Sequence, residues 1–138
     1  MRAAPASDPA VAAALVRPAN WLDYRNTGTR VILRPGAVDA LGAEVAALGC
    51  SRVMLVCGPN TRRSRLFDRV RASLGDRTAV LIDRVVEHSS TVLVTECAEI
   101  AVRERIDGLV AVGGGSASDT AKGIAILLGE GGEIEEHA

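Results

Sequence analysis

Residues 108–128 read GLVAVGGGSASDTAKGIAILL. Gly108 to Val112 is a short apolar run that reads as a buried strand, and Ser116 to Leu128 carries the spacing of a helix. Gly113, Gly114 and Gly115 join them. A strand that passes through glycines straight into a helix gathers free backbone N–H groups around a small concavity, and such a concavity suits an anion. The same residues also fit a plain tight turn with a capping box, Ser116 to Asp119 at S-x-x-D spacing. The two readings are compatible, but three glycines exceed what a turn requires.

Outward from this stretch the pattern alternates. Arg52 to Cys57 (RVMLVC) and Thr78 to Ile82 (TAVLI) are further short apolar runs. Val38, Leu41, Val45 and Leu48 recur at helical spacing with Gly49 as a C-terminal stop; Leu66, Phe67, Val70 and Leu74 do the same before Gly75. Thr91 to Arg105 suits a helix capped by Ser90 or Thr91. Trp21 to Leu33 is strand-like, with a turn at Thr27 and Gly28. Near-continuous apolar strands alternating with helices predict an α/β protein, a Rossmann-like parallel sheet with helices on both faces. In such sheets ligands bind beyond the carboxyl ends of the strands, where Gly113 to Gly115 stand.

The 138 residues are 48% hydrophobic, enough for one aliphatic core; Trp21, Tyr24 and Phe67 are the aromatic residues. A net charge of -1 argues against a general nucleic-acid or membrane-surface binder. Cys50, Cys57 and Cys97 lack metal-ligand or disulfide spacing and read as small hydrophobes of a reducing compartment. No apolar run approaches the ~20 residues that span a bilayer. Residues 1–20, rich in alanine and interrupted by Asp8 and prolines, are expected to be a flexible tail rather than a signal peptide, and residues 21–138 the folded domain. A cytoplasmic protein is expected.

The glycine turn is neither of two common nucleotide motifs. G-x-G-x-x-G would place glycine at Ser118, and a Walker A loop would place Lys122 directly after a glycine and before Ser or Thr. Lys122, the one lysine among sixteen Lys and Arg residues, stands three positions after Asp119, as an exposed helical ion pair would.

GGGSASDTAK resembles the GGGSxxDxxK motif of the iron-containing (group III) alcohol dehydrogenase family, whose members include glycerol dehydrogenases and maleylacetate reductases. VILRPGAVDALGAEVAALGCSRVMLVCGPN is similar to that family's opening strand, turn, helix and second strand. The resemblance implies the incomplete N-terminal domain of a dehydroquinate-synthase-like/iron-alcohol-dehydrogenase fold, binding NAD or NADP. It places Gly113, Gly114, Gly115 and Ser116 against the pyrophosphate, Asp119 toward the nicotinamide and substrate, and Lys122 near a ribose. Many family members carry an aspartate for the adenosine ribose where this chain has Gly58, and Arg62 and Arg63 follow closely. A neutral residue there removes repulsion against the 2′-phosphate of NADP, although arginines opening a helix are also ordinary solvated charge.

Family enzymes are much longer, and a helical second half supplies an aspartate and three histidines to a divalent metal, iron or zinc, that polarises the substrate oxygen. His88 and His137 are the histidines of this sequence and lie far apart, so neither a metal site nor a catalytic residue is expected within it. His88, in DRVVEHSS, is placed to border a ligand cleft. The resemblance further implies a homodimer or larger assembly, with TRVIL pairing across a two-fold axis. The expected function is hydride transfer between a nicotinamide cofactor and an alcohol or carbonyl in the intact protein, with this chain as the cofactor-binding half. A non-catalytic nucleotide-binding or interaction module is the alternative; a dehydroquinate-synthase-like lyase is disfavoured by SASDTAK.

Overall fold

The computed structural model describes residues 22–26, 28–87 and 90–131. The chain divides into two units, Met1–Ala37 and Val38–Ala138. In the first, β1 (Leu22–Asn26) and β2 (Thr29–Leu33) pair antiparallel, from Leu22 opposite Leu33 to Asn26 opposite Thr29. This register leaves residues 27 and 28 to reverse the chain, and Gly28 sits at φ +80°, a conformation glycine adopts without steric penalty. Trp21 and Thr27 lie outside the described residues.

The second unit alternates helix and strand. A 3₁₀ turn over Ala37–Ala40 leads into α1 (Leu41–Ala47), followed by β3 (Val53–Cys57), the one-turn helix α2 (Pro59–Arg62) and α3 (Arg65–Leu74). Then come β4 (Thr78–Ile82), α4 (Thr91–Arg103), β5 (Gly108–Val112) and α5 (Gly115–Glu130). The three strands form a parallel sheet in the order β4-β3-β5.

All five residues of β3 are completely buried, which explains why that strand reads as an unbroken apolar run. Successive side chains point to opposite faces. Met54 and Val56 pack with Ile82, Val94, Cys97, Ala101 and Ile124, under α4 and α5. Val53, Leu55 and Cys57 pack with Val45, Phe67, Val70 and Leu74, under α1 and α3. Helices therefore cover both faces, as the sequence pattern predicts. The Val, Leu, Ile, Phe and Met side chains among them each contribute roughly 1.5–3 kcal/mol by leaving water, and a one-residue slip of β3 would exchange the two sets.

Asp107 fixes where the strands start. Its carboxylate accepts hydrogen bonds from the backbone N–H of Ser51 (2.9 Å) and Arg52 (2.7 Å) and from the Ser51 hydroxyl (2.8 Å). Its own N–H donates to Arg52 O at 2.9 Å. These bonds favour the ionised form and hold the Asp107 carboxyl below its ordinary pKa. The entrances to β3 and β5 are thus tied together at the end of the sheet opposite the glycine turn.

α1 and α3 approach closely at Gly42. Its N–H donates to Ser73 Oγ at 3.0 Å, and a Cβ on Gly42 would lie only 2.0 Å from Ser73 O. Arg69 forms a two-pronged bond to Asp39 beside this contact, at 2.9 and 2.8 Å. α3 itself is capped by Ser64, whose Oγ accepts the Phe67 N–H at 3.2 Å.

Several boundaries differ from the sequence reading. The helix after the glycine turn begins at Gly115 and runs to Glu130, with Gly114 as N-cap and no side-chain capping bond, so Ser116 and Asp119 do not form a capping box. Ser90 does cap α4, but without a side-chain bond. α4 ends at Arg103 because Glu104 and Arg105, the latter at φ 52°, turn the chain into β5. Cys57 and Cys97 are buried, and burial pushes both thiols up, so they pack as protonated small hydrophobes. Among the described residues no helix is long and apolar enough to cross a membrane.

Candidate functional site

Two neighbouring parallel strands, β3 and β5, end at the same level, with Cys57 opposite Val112. Beyond β3 the chain passes Gly58 and enters α2 at Pro59, a residue whose fixed φ and missing N–H suit a first helical position. Beyond β5 it passes Gly113 and Gly114 into α5. The segment after β4 supplies a third side: Val85 N–H donates to Cys57 O at 3.2 Å, drawing residues 85–87 across the strand end. Between them lies an open cleft of about 500 Å³, bordered by Gly58 to Thr61, Val85 to Glu87 and Val112 to Ala117.

The three glycines do different things. Gly113 sits at φ +133°, and a Cβ there would also come within 3.2 Å of Thr61 Oγ1. Glycine is therefore required by the backbone at that position. Gly114 has an ordinary extended backbone, φ −87° and ψ −161°, and a Cβ added to it would meet nothing within 4 Å. Gly115 is already helical, and its Cβ would have only the Asp119 carboxylate near, at 3.9 Å. The fold does not need glycine at 114 or 115, and both border the cleft. α5 opens there, so its first N–H groups and the positive end of its dipole face the same space.

Gly58 has another reason to be glycine. A Cβ would lie 2.9 Å from the carbonyl oxygen of Val85, a main-chain atom. The Val85 turn lies against the strand end because Gly58 has no side chain.

Of the residues singled out in the sequence, Gly58, Gly113, Gly114, Gly115 and Ser116 come together at the cleft. Asp119 and Lys122 do not line it. They pair with each other at 3.1 Å on the outer surface of α5, both largely exposed. Arg62 is engaged elsewhere, 4.5 Å above the Phe67 ring and 3.7 Å from Asp83. His88 and His137 lie outside the described residues. Thr61 borders the cleft unannounced by the sequence, on a helix too short to show periodicity, whereas Val85 to Glu87 belong to DRVVEHSS, the loop that the sequence reading sets at a ligand cleft through His88. Among the described residues no group of three His, Cys, Asp or Glu side chains could hold a metal ion.

Comparison with known proteins agrees with this geometry. Residues 28–138 match the family model described as iron-containing alcohol dehydrogenase. The choline dehydrogenase of Bacillus subtilis is 38% identical over 104 residues, covering 74% of this chain and 26% of that protein. Among solved structures, a 1,3-propanediol oxidoreductase superposes with a TM-score of 0.72 at 27% identity, covering 76% of this chain and 28% of that one. The NADH-dependent butanol dehydrogenase A of Thermotoga maritima gives 0.66 at 26% identity, covering 74% and 26%. The chain thus spans about a quarter of the length of these relatives. With the family model matched from residue 28 to residue 138, the chain belongs to the iron-containing alcohol dehydrogenase family.

Proposed function

We propose that the cleft at the ends of β3 and β5 binds the pyrophosphate of a nicotinamide dinucleotide, NAD or NADP, and that this chain is the cofactor-binding part of an oxidoreductase. In the whole protein the cofactor exchanges a hydride with an alcohol or carbonyl. The observation that carries this reading is Gly114: its backbone suits any residue, its missing side chain would project into empty space, and it caps a sixteen-residue helix. A glycine the fold does not require, at a helix N-terminus, leaves room for an anion to approach the chain. Family membership and the NADH dependence stated for the Thermotoga relative support a nicotinamide cofactor. The residues that would hold it are Gly113, Gly114, Gly115 and Ser116, with Gly58 on the facing side, while Asp119 and Lys122 pair with each other outside the cleft. Bound there, the dinucleotide would supply the hydride; the protein's own part is to fix its phosphates and to leave the ring end open toward substrate.

Gly114→Val tests this directly. A Cβ at 114 meets nothing within 4 Å, so the melting temperature should fall only by the modest cost of valine at a helix N-cap, whereas the valine occupies the space of the phosphate and NADH binding should be lost. Equal calorimetric binding of NADH by the parent and Gly114→Val would remove the phosphate assignment.

A further inference from the structure

The cleft has a second wall, and Thr61 is its polar member nearest the glycine turn. Thr61 is half-buried in α2 and borders the cleft. Its side-chain oxygen would stand 3.2 Å from a Cβ on Gly113, so it is seated against the first glycine of the turn. The backbone around it is already satisfied: Thr61 O accepts from Ser64 Oγ at 2.7 Å and from Ser64 N at 3.0 Å. Neither bond uses the hydroxyl, and no described residue exchanges a hydrogen bond with it. A hydroxyl held beside a helix N-terminus, with no partner among the described residues, has its donor available to the cleft.

We propose that Thr61 is a phosphate-binding residue on the wall facing the glycine turn, its hydroxyl donating a hydrogen bond to a pyrophosphate oxygen of the dinucleotide. This rests on the dinucleotide reading of the cleft. The chemistry is a charge-assisted O–H···O⁻ bond, stronger than a neutral one. It also gives Gly113 a second role, because any side chain at 113 would push the hydroxyl away from the ligand.

The experiment titrates NADH into the 138-residue chain, followed by NADH fluorescence, for the parent, Thr61→Val, Thr61→Ser and Gly114→Val. Valine keeps the shape and the backbone bonds while removing the donor. Loss of one bond to a charged group is expected to weaken binding about tenfold or more, and Thr61→Ser should bind close to the parent. Competition by inorganic pyrophosphate should weaken in parallel in Thr61→Val. Thermal melting without ligand checks folding, and Thr61→Ala replaces Thr61→Val if the valine variant melts early. Thr61→Val binding NADH as tightly as the parent, while Gly114→Val does not bind, would overturn the Thr61 role alone. Weaker NADH binding with unchanged pyrophosphate competition would also overturn it, by moving the contact to the ribose or base. Equal binding by the parent and Gly114→Val would overturn the dinucleotide reading and this role with it.

Discussion

Substituting Gly42 by alanine should destabilise the fold even though alanine is the better helix former. A methyl carbon 2.0 Å from Ser73 O must withdraw by more than about 1 Å to reach van der Waals separation. The obstacle is a main-chain oxygen, so no rotamer change relieves it, and α1 and α3 have to move apart. That movement stretches the 3.0 Å bond from Gly42 N to Ser73 Oγ and disturbs the Arg69–Asp39 fork beside it. Overpacking of this kind costs about 1–3 kcal/mol, and the lost hydrogen bond adds about 1 kcal/mol. The helical preference for alanine returns about 1 kcal/mol at most. The net loss is roughly 2 kcal/mol, or a fall in melting temperature of roughly 8–16 °C for a domain of this size. Circular dichroism during heating and urea unfolding measure it, with the urea midpoint falling at constant slope. Gly129→Ala is the control: it lies in α5 with nothing within 4 Å of an added Cβ, and should melt at or slightly above the parent temperature. Gly42→Ala melting as high as the parent would refute the close approach of the two helices.

Asp107→Asn should lower stability at neutral pH and flatten its dependence on acid. Because the folded carboxyl is held below its ordinary pKa, its contribution is complete above the unfolded value of about 3.9 and is lost as pH falls through the lowered folded value. Urea midpoints between neutral pH and pH 3 measure this; parallel curves for the two proteins would contradict the clamp. β2 exposes Val31 and Leu33, at 41% and 63%, and association of the chain at micromolar concentration is expected. Sedimentation or light scattering giving the monomer mass of 14.4 kDa across a wide concentration range would count against it.

β3 is legible because burial on both sides leaves a mark that needs no partner to be read. Val53 to Cys57 and Gly108 to Val112 announce themselves as strands by composition alone, and their carboxyl ends locate the cleft. The glycine turn was legible for the same local reason. What escaped was set by atoms distant in sequence. Asp107 meets Ser51 across 56 residues, and nothing in IDG distinguishes that aspartate from an ordinary turn residue. Ser116 has the spacing of a capping residue, but Gly114 turns the chain into the helix two residues earlier. Thr61 owes its place at the cleft to a four-residue helix, shorter than one period of any apolar stripe. Asp119 and Lys122 have the spacing of a helical pair and form one, but they do not line the cleft toward which the family resemblance directs them.

The approach of Val85 to Gly58 limits how this protein can diverge. An acidic side chain at position 58 would collide with a carbonyl oxygen 2.9 Å away, on a segment that is itself hydrogen-bonded to the end of β3. Such a residue therefore comes at a cost on the present loop. The segment that carries Val85 must give way with it, which strains the Val85–Cys57 bond. The two positions form an epistatic pair. Among descendants of this chain, an acid at position 58 should be accompanied by changes in the loop after β4 more often than by an unchanged loop.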